Sequence, residues 1–141
     1  MEKDFAKWHV LKTKIQDSES IPLFSQQEIW WCSLGANIRV ESDGKNELFE
    51  RPILIFRKFN RYMLWGLPMT SKKKEGEFYF SFPLYNIERT VMLSQMRILS
   101  SKRLIRRLGK VSDKIFNDLN LSFVELIKTA PLREPRVPNG N

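Results

Sequence analysis

Between residues 28 and 97 the chain consists of short segments rich in aromatic and β-branched residues, separated by polar or turn-forming residues. Such segments at close spacing are typical of antiparallel strands. We predict five strands, at residues 28–34, 52–56, 62–67, 78–82 and 91–97. The pattern therefore predicts an antiparallel sandwich or a small barrel.

A segment with helical periodicity precedes the strands. Within residues 4–17, apolar side chains recur at three- and four-residue spacings, and lysines lie between them. These apolar residues are Phe5, Trp8, Leu11 and Ile15. The spacing predicts an amphipathic N-terminal helix, and Pro22 indicates an extended connection to the strands.

Helix signals return after the last predicted strand. Ser100 is a candidate cap for a short helix, and Gly109 is expected to end the segment that follows. Ser112 and Asp113 then mark the start of a longer helix, because serine can cap the first turn and aspartate faces the positive end of the helix dipole. Its predicted apolar stripe, expected to pack on the barrel, is Phe116, Leu119, Phe123 and Ile127.

The length of 141 residues suits one folded domain with a single core. We divide the chain into an N-terminal helix and linker at residues 1–22, a barrel domain at residues 23–130, and a flexible tail at residues 131–141. The tail contains prolines and a glycine without apolar periodicity. The predicted fold class is thus mainly β (α+β), with a helix appended at each end of a small barrel.

The balance of charge favours a polyanionic partner. The chain carries 24 lysines and arginines against 16 aspartates and glutamates, which gives a net charge of +8. Basic side chains placed against phosphates gain affinity from counterion release, so nucleic acid is the natural partner. A basic protein without such a partner is the alternative that charge alone leaves open.

Composition also bounds the setting and the chemistry. Cys32 is the one cysteine, so no internal disulfide can form, and no apolar stretch is long enough to span a membrane. The charged N-terminus is unlike a signal peptide, and we expect a soluble, cytoplasmic protein that does not bind membranes. Because His9 is the one histidine, we expect no zinc site, no catalytic metal and no other cofactor.

Two elements lie where neighbouring strands are expected to begin and end. Arg51 opens one predicted strand, and Thr70 and Ser71 follow the next. An arginine can hold two phosphate oxygens and hydroxyl groups can donate to them, so these residues could surround a phosphodiester from two sides. The structural alternative is an ion pair of Arg51 with Glu28 or Glu50, and turn residues that cap a strand.

Five motifs follow one another along the chain. They are Glu-Ile-Trp-Trp-Cys-Ser-Leu-Gly at residues 28–35, a loop with an acidic residue and a glycine, Arg-Pro-Ile-Leu-Ile from Arg51, Pro-Met-Thr-Ser ending at Ser71, and Leu-Ser-Gln-Met-Arg ending at Arg97. Each motif is weak alone. Together, in this order and spacing over residues 27–128, they resemble the MazF/PemK family of toxins.

The resemblance implies a fold, an activity and two kinds of partner. Members of the family have an SH3-like barrel with appended helices, related to that of the CcdB toxins, and form homodimers. They cleave single-stranded RNA at short sequences without a metal, and a labile antitoxin protein holds them inactive. In the implied reaction the ribose 2′-OH attacks the adjacent phosphorus, which leaves a 2′,3′-cyclic phosphate and a 5′-OH.

The resemblance also implies roles for individual residues. Arg51 and Thr70 match the two positions most often tied to cleavage. Glu41 occupies the acidic loop position and is the candidate general base, with a solvated surface acid as the alternative. The matching positions expected to bind RNA are Ser71, Gln95 and Arg97. The departures from the family pattern are Ser42, Ser94 and Met92, where glutamine, aspartate and, in one branch, arginine are usual.

A run of three lysines follows the Thr70 motif. Lys72, Lys73 and Lys74 are expected to steer the RNA backbone, and a solvated charged loop is the alternative. Aromatic side chains could stack on unpaired bases, although strand alternation exposes one face only. The aromatic candidates are Trp30, Trp31, Trp65, Phe78, Tyr79 and Phe80.

Two further functions stay open at this point. A toxin of the same barrel family could poison DNA gyrase by protein contact, as CcdB toxins do, and would then cut no RNA. A barrel that binds RNA without cutting it is the other possibility, and Ser94 in place of the usual aspartate favours it. Cleavage of RNA by the purified protein in EDTA separates the nuclease from both.

Overall fold

The computed structural model describes residues 2–129, which form two α-helices and seven strands. In chain order these elements are α1 (Phe5–Asp17), β1 (Glu28–Ser33), β2 (Glu50–Lys58), β3 (Met63–Thr70), β4 (Tyr79–Leu84), β5 (Ile87–Met92), β6 (Arg97–Ser100), β7 (Leu104–Lys110) and α2 (Asp113–Lys128). The predicted N-terminal and C-terminal helices are confirmed, whereas the short helix predicted after Ser100 is a single 3₁₀ turn. Neither α1 nor α2 is long and apolar enough to cross a membrane. The predicted tail, residues 131–141, lies outside the described residues.

The strands pair antiparallel in one curled sheet. Its order is β4-β5-β3-β2-β1-β7, and β6 pairs with β3 on the same edge as β5. Strand β2 lies at the centre and is buried on both faces, since Ile53 and Ile55 join one apolar cluster and Leu54 joins the other. The predicted class, mainly β with a helix at each end, is confirmed.

The prediction of one strand over residues 91–97 is wrong. The structure contains the end of β5, a 3₁₀ turn at Leu93–Gln95 and the start of β6. Val91 of β5 lies opposite Met69 of β3, whereas Arg97 of β6 pairs three residues further back along the same strand. The chain between these points has more residues than β3 can pair, and the extra residues form the turn.

The prediction that Gly109 ends a segment is also wrong. Ser100 caps a single 3₁₀ turn at Ser101–Arg103, and β7 follows at once beside β1. Gly109 lies inside β7 opposite Ile29, and a side chain there would come within 2.9 Å of the Tyr85 hydroxyl. Gly109 therefore makes room for an aromatic ring and does not stop the strand.

Helix α2 packs on the sheet as predicted, with one correction. Leu119 is fully buried, and the Phe123 ring centroid lies 4.8 Å from that of Phe56 in β2. Ile127 is 69% exposed, so its predicted place in the stripe is wrong. Leu126, one position earlier, packs against the core in its place, because it lies three residues after Phe123 on the same helix face.

Helix α1 packs on the loop of residues 34–49, which joins β1 to β2 and is called the β1–β2 loop below. Trp8 is the buried residue of α1, and its ring centroid lies 5.5 Å from that of Phe49. A side chain at Gly35 would overlap the Trp8 ring, and the φ of +89° at Gly35 suits glycine. The helix and the loop therefore form one packed unit.

Candidate active site

Arg51 and Thr70 meet at one end of the central strands. Ile53 of β2 lies opposite Pro68 of β3. Continuing this register by two residues in each strand brings Arg51 opposite Thr70. The strands are in direct contact here, because Arg51 Nη1 donates a hydrogen bond of 3.1 Å to the Met69 carbonyl. The structure thus brings together the two residues that the resemblance ties to cleavage.

A cleft of about 180 Å³ opens at these strand ends and is called the Arg51 cleft below. It is lined by Trp31, Lys45, Asn46, Glu50, Arg51, Pro52, Met69, Thr70, Ser71, Lys72 and Arg89. Four of these residues are lysine or arginine, and among residues 2–129 Glu50 supplies the one carboxylate on the wall. The cleft is smaller than pockets that enclose a drug-sized ligand, and its charge suits a phosphate group.

Backbone carbonyl groups fix the Arg51 side chain. Nε donates a hydrogen bond of 2.6 Å to the Asp43 carbonyl, and Nη1 donates to Met69. Burial lowers the pKa of the Arg51 guanidinium, and the nearby Asp43 carboxylate opposes this shift. The group still carries its charge at neutral pH. Among the described residues these bonds engage Nε and Nη1, so Nη2 is left for a bound anion.

Thr70 and Ser71 line the cleft beside Arg51. Thr70 Oγ1 accepts a hydrogen bond of 3.2 Å from the Lys72 N–H, which leaves the hydroxyl proton available to donate. Lys72 also lines the cleft, whereas Lys73 and Lys74 lie on the exposed loop outside it. One lysine of the run therefore belongs to the wall and the others to its surroundings.

Two basic residues of the cleft are missing from the sequence-based predictions. Lys45 comes from the β1–β2 loop and Arg89 from β5. Arg89 Nε is buried, and no partner for it lies among the described residues. Such a buried donor without a partner is costly. No sequence signal marks Arg89, since it falls between two predicted strands.

Glu50 is held at the cleft wall by an arginine of β7. Its Oε2 accepts a hydrogen bond of 3.0 Å from Arg106 Nη1, and its Oε1 accepts one of 3.2 Å from Arg106 Nη2. Glu28 pairs with Arg107 at 2.8 Å. Both glutamates therefore pair with β7, and the alternative that either one pairs with Arg51 is not observed among residues 2–129.

One of the aromatic candidates for base stacking lines the cleft. Trp31 does so, and the Arg106 guanidinium lies 4.9 Å from its ring. Trp30 is buried in the core, and Trp65 packs edge-on against Phe59 at 5.0 Å. Trp31 is thus the aromatic candidate best placed beside a phosphate in the cleft.

Glu41, Gln95 and Arg97 do not line the Arg51 cleft. They line a second cleft of about 430 Å³, whose other walls are Asn37, Val40, Ser42, Ser94 and Met96. Glu41 Oε1 accepts a hydrogen bond of 2.9 Å from the Ile38 N–H, within its own loop. The residue predicted as general base therefore lies in a different cleft from Arg51 and Thr70.

Gln95 holds the β1–β2 loop through both ends of its amide. Its Oε1 accepts a hydrogen bond of 3.2 Å from the Ser42 N–H, and its Nε2 donates one of 3.0 Å to the Val40 carbonyl. The 3₁₀ turn that interrupts the sheet before β6 presents Gln95 to the loop. The amide is thus engaged by the protein backbone.

The Cys32 thiol is poorly suited to react, and residues 2–129 contain no cluster of metal ligands. Burial raises the pKa of the Cys32 thiol to about 12, although nearby arginines oppose the shift, and the residue is fully buried. A thiol in this state is a poor nucleophile. Among residues 2–129, no group of three or more His, Cys, Asp or Glu side chains is placed to share a metal ion.

The chain matches a known protein family over a region that includes this cleft. The family of PemK-like, MazF-like toxins of type II toxin-antitoxin systems matches residues 25–127, which is most of the chain. The chain belongs to this toxin family. Every residue of the Arg51 cleft lies within the matched toxin region, whereas α1 lies outside it.

Solved structures of toxins in this family share the fold. They include an endoribonuclease from a mycobacterial species in complex with its cognate antitoxin (TM-score 0.59, 16% identity, covering 77% of this chain and 100% of that chain). MazF from Deinococcus radiodurans (0.58, 16%, 79% and 100%) and toxin MazF-mt6 from Mycobacterium tuberculosis (0.56, 13%, 73% and 98%) are similar. At these identities the likeness confirms the predicted MazF-type fold. A comparison with curated protein sequences found no match.

Proposed function

We propose that this toxin cleaves single-stranded RNA in the cytoplasm without a metal ion. The observation that carries the proposal is the Arg51 cleft, where an arginine with a fixed orientation, hydroxyl groups and one carboxylate surround a space suited to phosphate. Family membership supports it, as do the structural neighbours described as endoribonucleases. The net charge of +8 attracts RNA.

The reaction begins when the ribose 2′-OH attacks the adjacent phosphorus. Negative charge grows on the nonbridging oxygens and on the leaving 5′ oxygen, so fixed positive groups and hydroxyl donors contribute most in the transition state. Arg51 holds a nonbridging oxygen through Nη2, and Thr70 donates from the opposite strand. Arg89 supplies a second guanidinium at the wall of the cleft.

Glu50 takes the place of Glu41 as the general base. Its carboxylate lines the Arg51 cleft, and Arg106 fixes it while each oxygen keeps a lone pair for the 2′-OH proton. The 2′-OH proton passes to Glu50, the new P–O2′ bond forms, and the P–O5′ bond breaks. The 5′ oxygen takes a proton from solvent, which leaves a 2′,3′-cyclic phosphate and a 5′-OH.

RNA beyond the reacting phosphate follows the basic surroundings of the cleft. Ser71 and Lys72 lie on its wall, and Lys73 and Lys74 extend the charge into the exposed loop. Arg97 offers a guanidinium to the RNA in the second cleft. We assign Gln95 an indirect part in RNA binding, because its amide orders the β1–β2 loop.

The first test is cleavage of single-stranded RNA by the purified protein in EDTA. We expect cuts at a limited set of sites, because no step of the proposed reaction uses a metal ion. Circular dichroism would establish that the protein is folded. Failure of the folded protein to cut diverse RNAs would reject the nuclease. RNA binding without cleavage would then indicate a barrel that only binds RNA, and a defect in DNA supercoiling by gyrase would indicate a gyrase poison.

Thr70→Val is expected to lower kcat/KM for RNA cleavage by about tenfold, the worth of one neutral hydrogen bond. Valine has the same shape and favours the strand, so the fold should be retained. Ser71→Ala, next to Thr70 but exposed, is the matched control and should lose less. Initial rates on a fluorogenic RNA measure both, and equal losses in the two variants would remove Thr70 from the reaction.

We infer that the toxin forms a homodimer, as the family resemblance implies. Multi-angle light scattering of the purified chain should give twice the mass of one chain. A monomer at micromolar concentration would contradict this inference.

We infer an antitoxin as the second protein partner. Two of the similar structures are complexes with an antitoxin, one of them described as cognate. An acidic, disordered antitoxin segment would suit the basic Arg51 cleft and would exclude RNA from it. Coexpression with the protein of an adjacent acidic reading frame should relieve growth arrest, and unchanged toxicity would exclude that protein as the antitoxin.

A further inference from the structure

Lys3 contacts the loop that orients Arg51, although Lys3 lies outside the region matched by the toxin family. Its Nζ lies 2.9 Å from Asp43 Oδ2 and donates to the backbone oxygens of Asn37 and Arg39. The Lys3 and Asp43 side chains are 24% and 28% exposed. The pair is thus better shielded from solvent than an ordinary surface ion pair.

Asp43 is the link between Lys3 and the cleft. Its carbonyl accepts the hydrogen bond of 2.6 Å from Arg51 Nε, and its Oδ1 accepts one of 2.6 Å from the Asn37 N–H. The Asp43 carboxylate therefore belongs to a residue that already touches the Arg51 guanidinium. A carboxylate so near would compete with a phosphate for the same arginine unless another cation holds it.

Helix α1 holds Lys3 in this position. Asp4 accepts a hydrogen bond of 2.9 Å from the Lys7 N–H and so caps the helix immediately after Lys3. Trp8 anchors the first turns against the β1–β2 loop. At the other end, Lys102 Nζ donates a hydrogen bond of 2.8 Å to the Gln16 carbonyl. Lys3 is therefore presented to Asp43 from the segment immediately before a helix that is fixed at both ends.

We propose that Lys3 is a positioning residue that keeps the Asp43 carboxylate from pairing with Arg51. Its ammonium neutralises the carboxylate and fixes the loop whose carbonyl orients Arg51 Nε. Without Lys3, the Asp43 side chain can rotate onto the guanidinium, and the phosphodiester must then displace it. The expected effect of Lys3 on cleavage rests on the proposed function of the Arg51 cleft. The expected effect of Lys3 on the position of the Arg51 side chain does not depend on that function.

Substitutions at Lys3 and Asp43 test this role through rescue. Lys3→Met should lower kcat/KM for RNA cleavage by about tenfold, because a small misplacement of a charge-stabilising group costs at least this much. Lys3→Arg should keep wild-type activity. Adding Asp43→Asn to Lys3→Met should restore most of the loss, because asparagine can accept from Asn37 but cannot neutralise Arg51. A purely structural role predicts that the second substitution adds to the loss.

Lys7→Met is the matched control. It removes a lysine of α1, four residues after Lys3, whose ion pair with Glu47, at 3.3 Å, is mostly exposed to solvent. It should leave both the cleavage rate and the thermal midpoint unchanged. A loss in Lys7→Met equal to that in Lys3→Met would overturn the proposal, since the effect would then reflect any charge lost from α1.

A second readout does not depend on RNA cleavage. The Arg51 Nε–H should give a slowly exchanging NMR signal in the wild type and in Lys7→Met, because it is hydrogen-bonded to Asp43. The signal should shift or exchange faster in Lys3→Met and return in the double variant. An unchanged signal in Lys3→Met overturns the proposed role of Lys3, whether or not the wild type cuts RNA. A wild type that cuts no RNA rejects the proposed nuclease but leaves this readout in place.

Discussion

Arg51→Ala is expected to lower kcat/KM for cleavage of single-stranded RNA by about 10³-fold, the upper range for removing one preorganised charge-stabilising group. The substitution removes the guanidinium that meets the charge growing on the phosphate. The sheet should remain intact, because Arg51 lies at the end of β2 and its backbone pairs with Cys32 in any case. Initial cleavage rates and a thermal unfolding curve on the same sample measure the two effects.

A second variant separates charge from geometry at this position. Arg51→Lys keeps a positive charge but loses the planar fork that two carbonyls orient, so we expect about a 10²-fold loss. Arg89→Met removes the second guanidinium and should cost less than Arg51→Ala. If Arg51→Ala cut RNA at the wild-type rate, the Arg51 cleft would not be the cleavage site.

Glu50→Gln is expected to lower kcat/KM by about 10²-fold, the lower range for losing a general base. The amide keeps the size of the side chain and one acceptor for Arg106 but cannot take the 2′-OH proton. Single-turnover cleavage rates of the wild type and the variant, measured under the same conditions, test this loss.

Glu41→Gln is the matched control for this prediction, because Glu41 lies in the second cleft and bonds to its own loop. We expect it to keep most of the rate. The opposite pattern, with the rate lost in Glu41→Gln and kept in Glu50→Gln, would return the role of base to Glu41 and reject Glu50.

The meeting of Arg51 and Thr70 could be predicted from sequence for a physical reason. Both residues belong to short strands joined by a tight connection, so antiparallel pairing brings the far ends of the two strands together once the strands are recognised. A bulge between Ile55 and Arg57 shifts the register by one residue, and the sequence pattern does not predict this shift. The start of α2 can be predicted for a similar reason, because the capping residue Ser112 and the first turn that it caps are adjacent in the sequence. Local chemistry and near-neighbour register are what a single sequence encodes most directly.

The missed features depend on contacts between distant parts of the chain. Glu50 and Arg106 lie 56 residues apart, and only the pairing of β1 with both β2 and β7 brings them together. Arg89 gains its place from the split between β5 and β6, which depends on how two segments share the edge of β3. The contact of Lys3 with Asp43 requires α1 to fold back over the β1–β2 loop. The spacing of residues in the sequence does not predict that these distant residues lie close together in the fold.

The most direct test of RNA cleavage at this cleft uses two RNAs that differ by one oxygen atom. One is a short RNA that the protein cuts in EDTA, and the other lacks only the 2′-OH of the nucleotide before the cut. We predict that the first gives a 2′,3′-cyclic phosphate and a 5′-OH, and that the second binds but stays intact at that phosphate. Cutting of the second RNA at a similar rate would contradict 2′-OH attack.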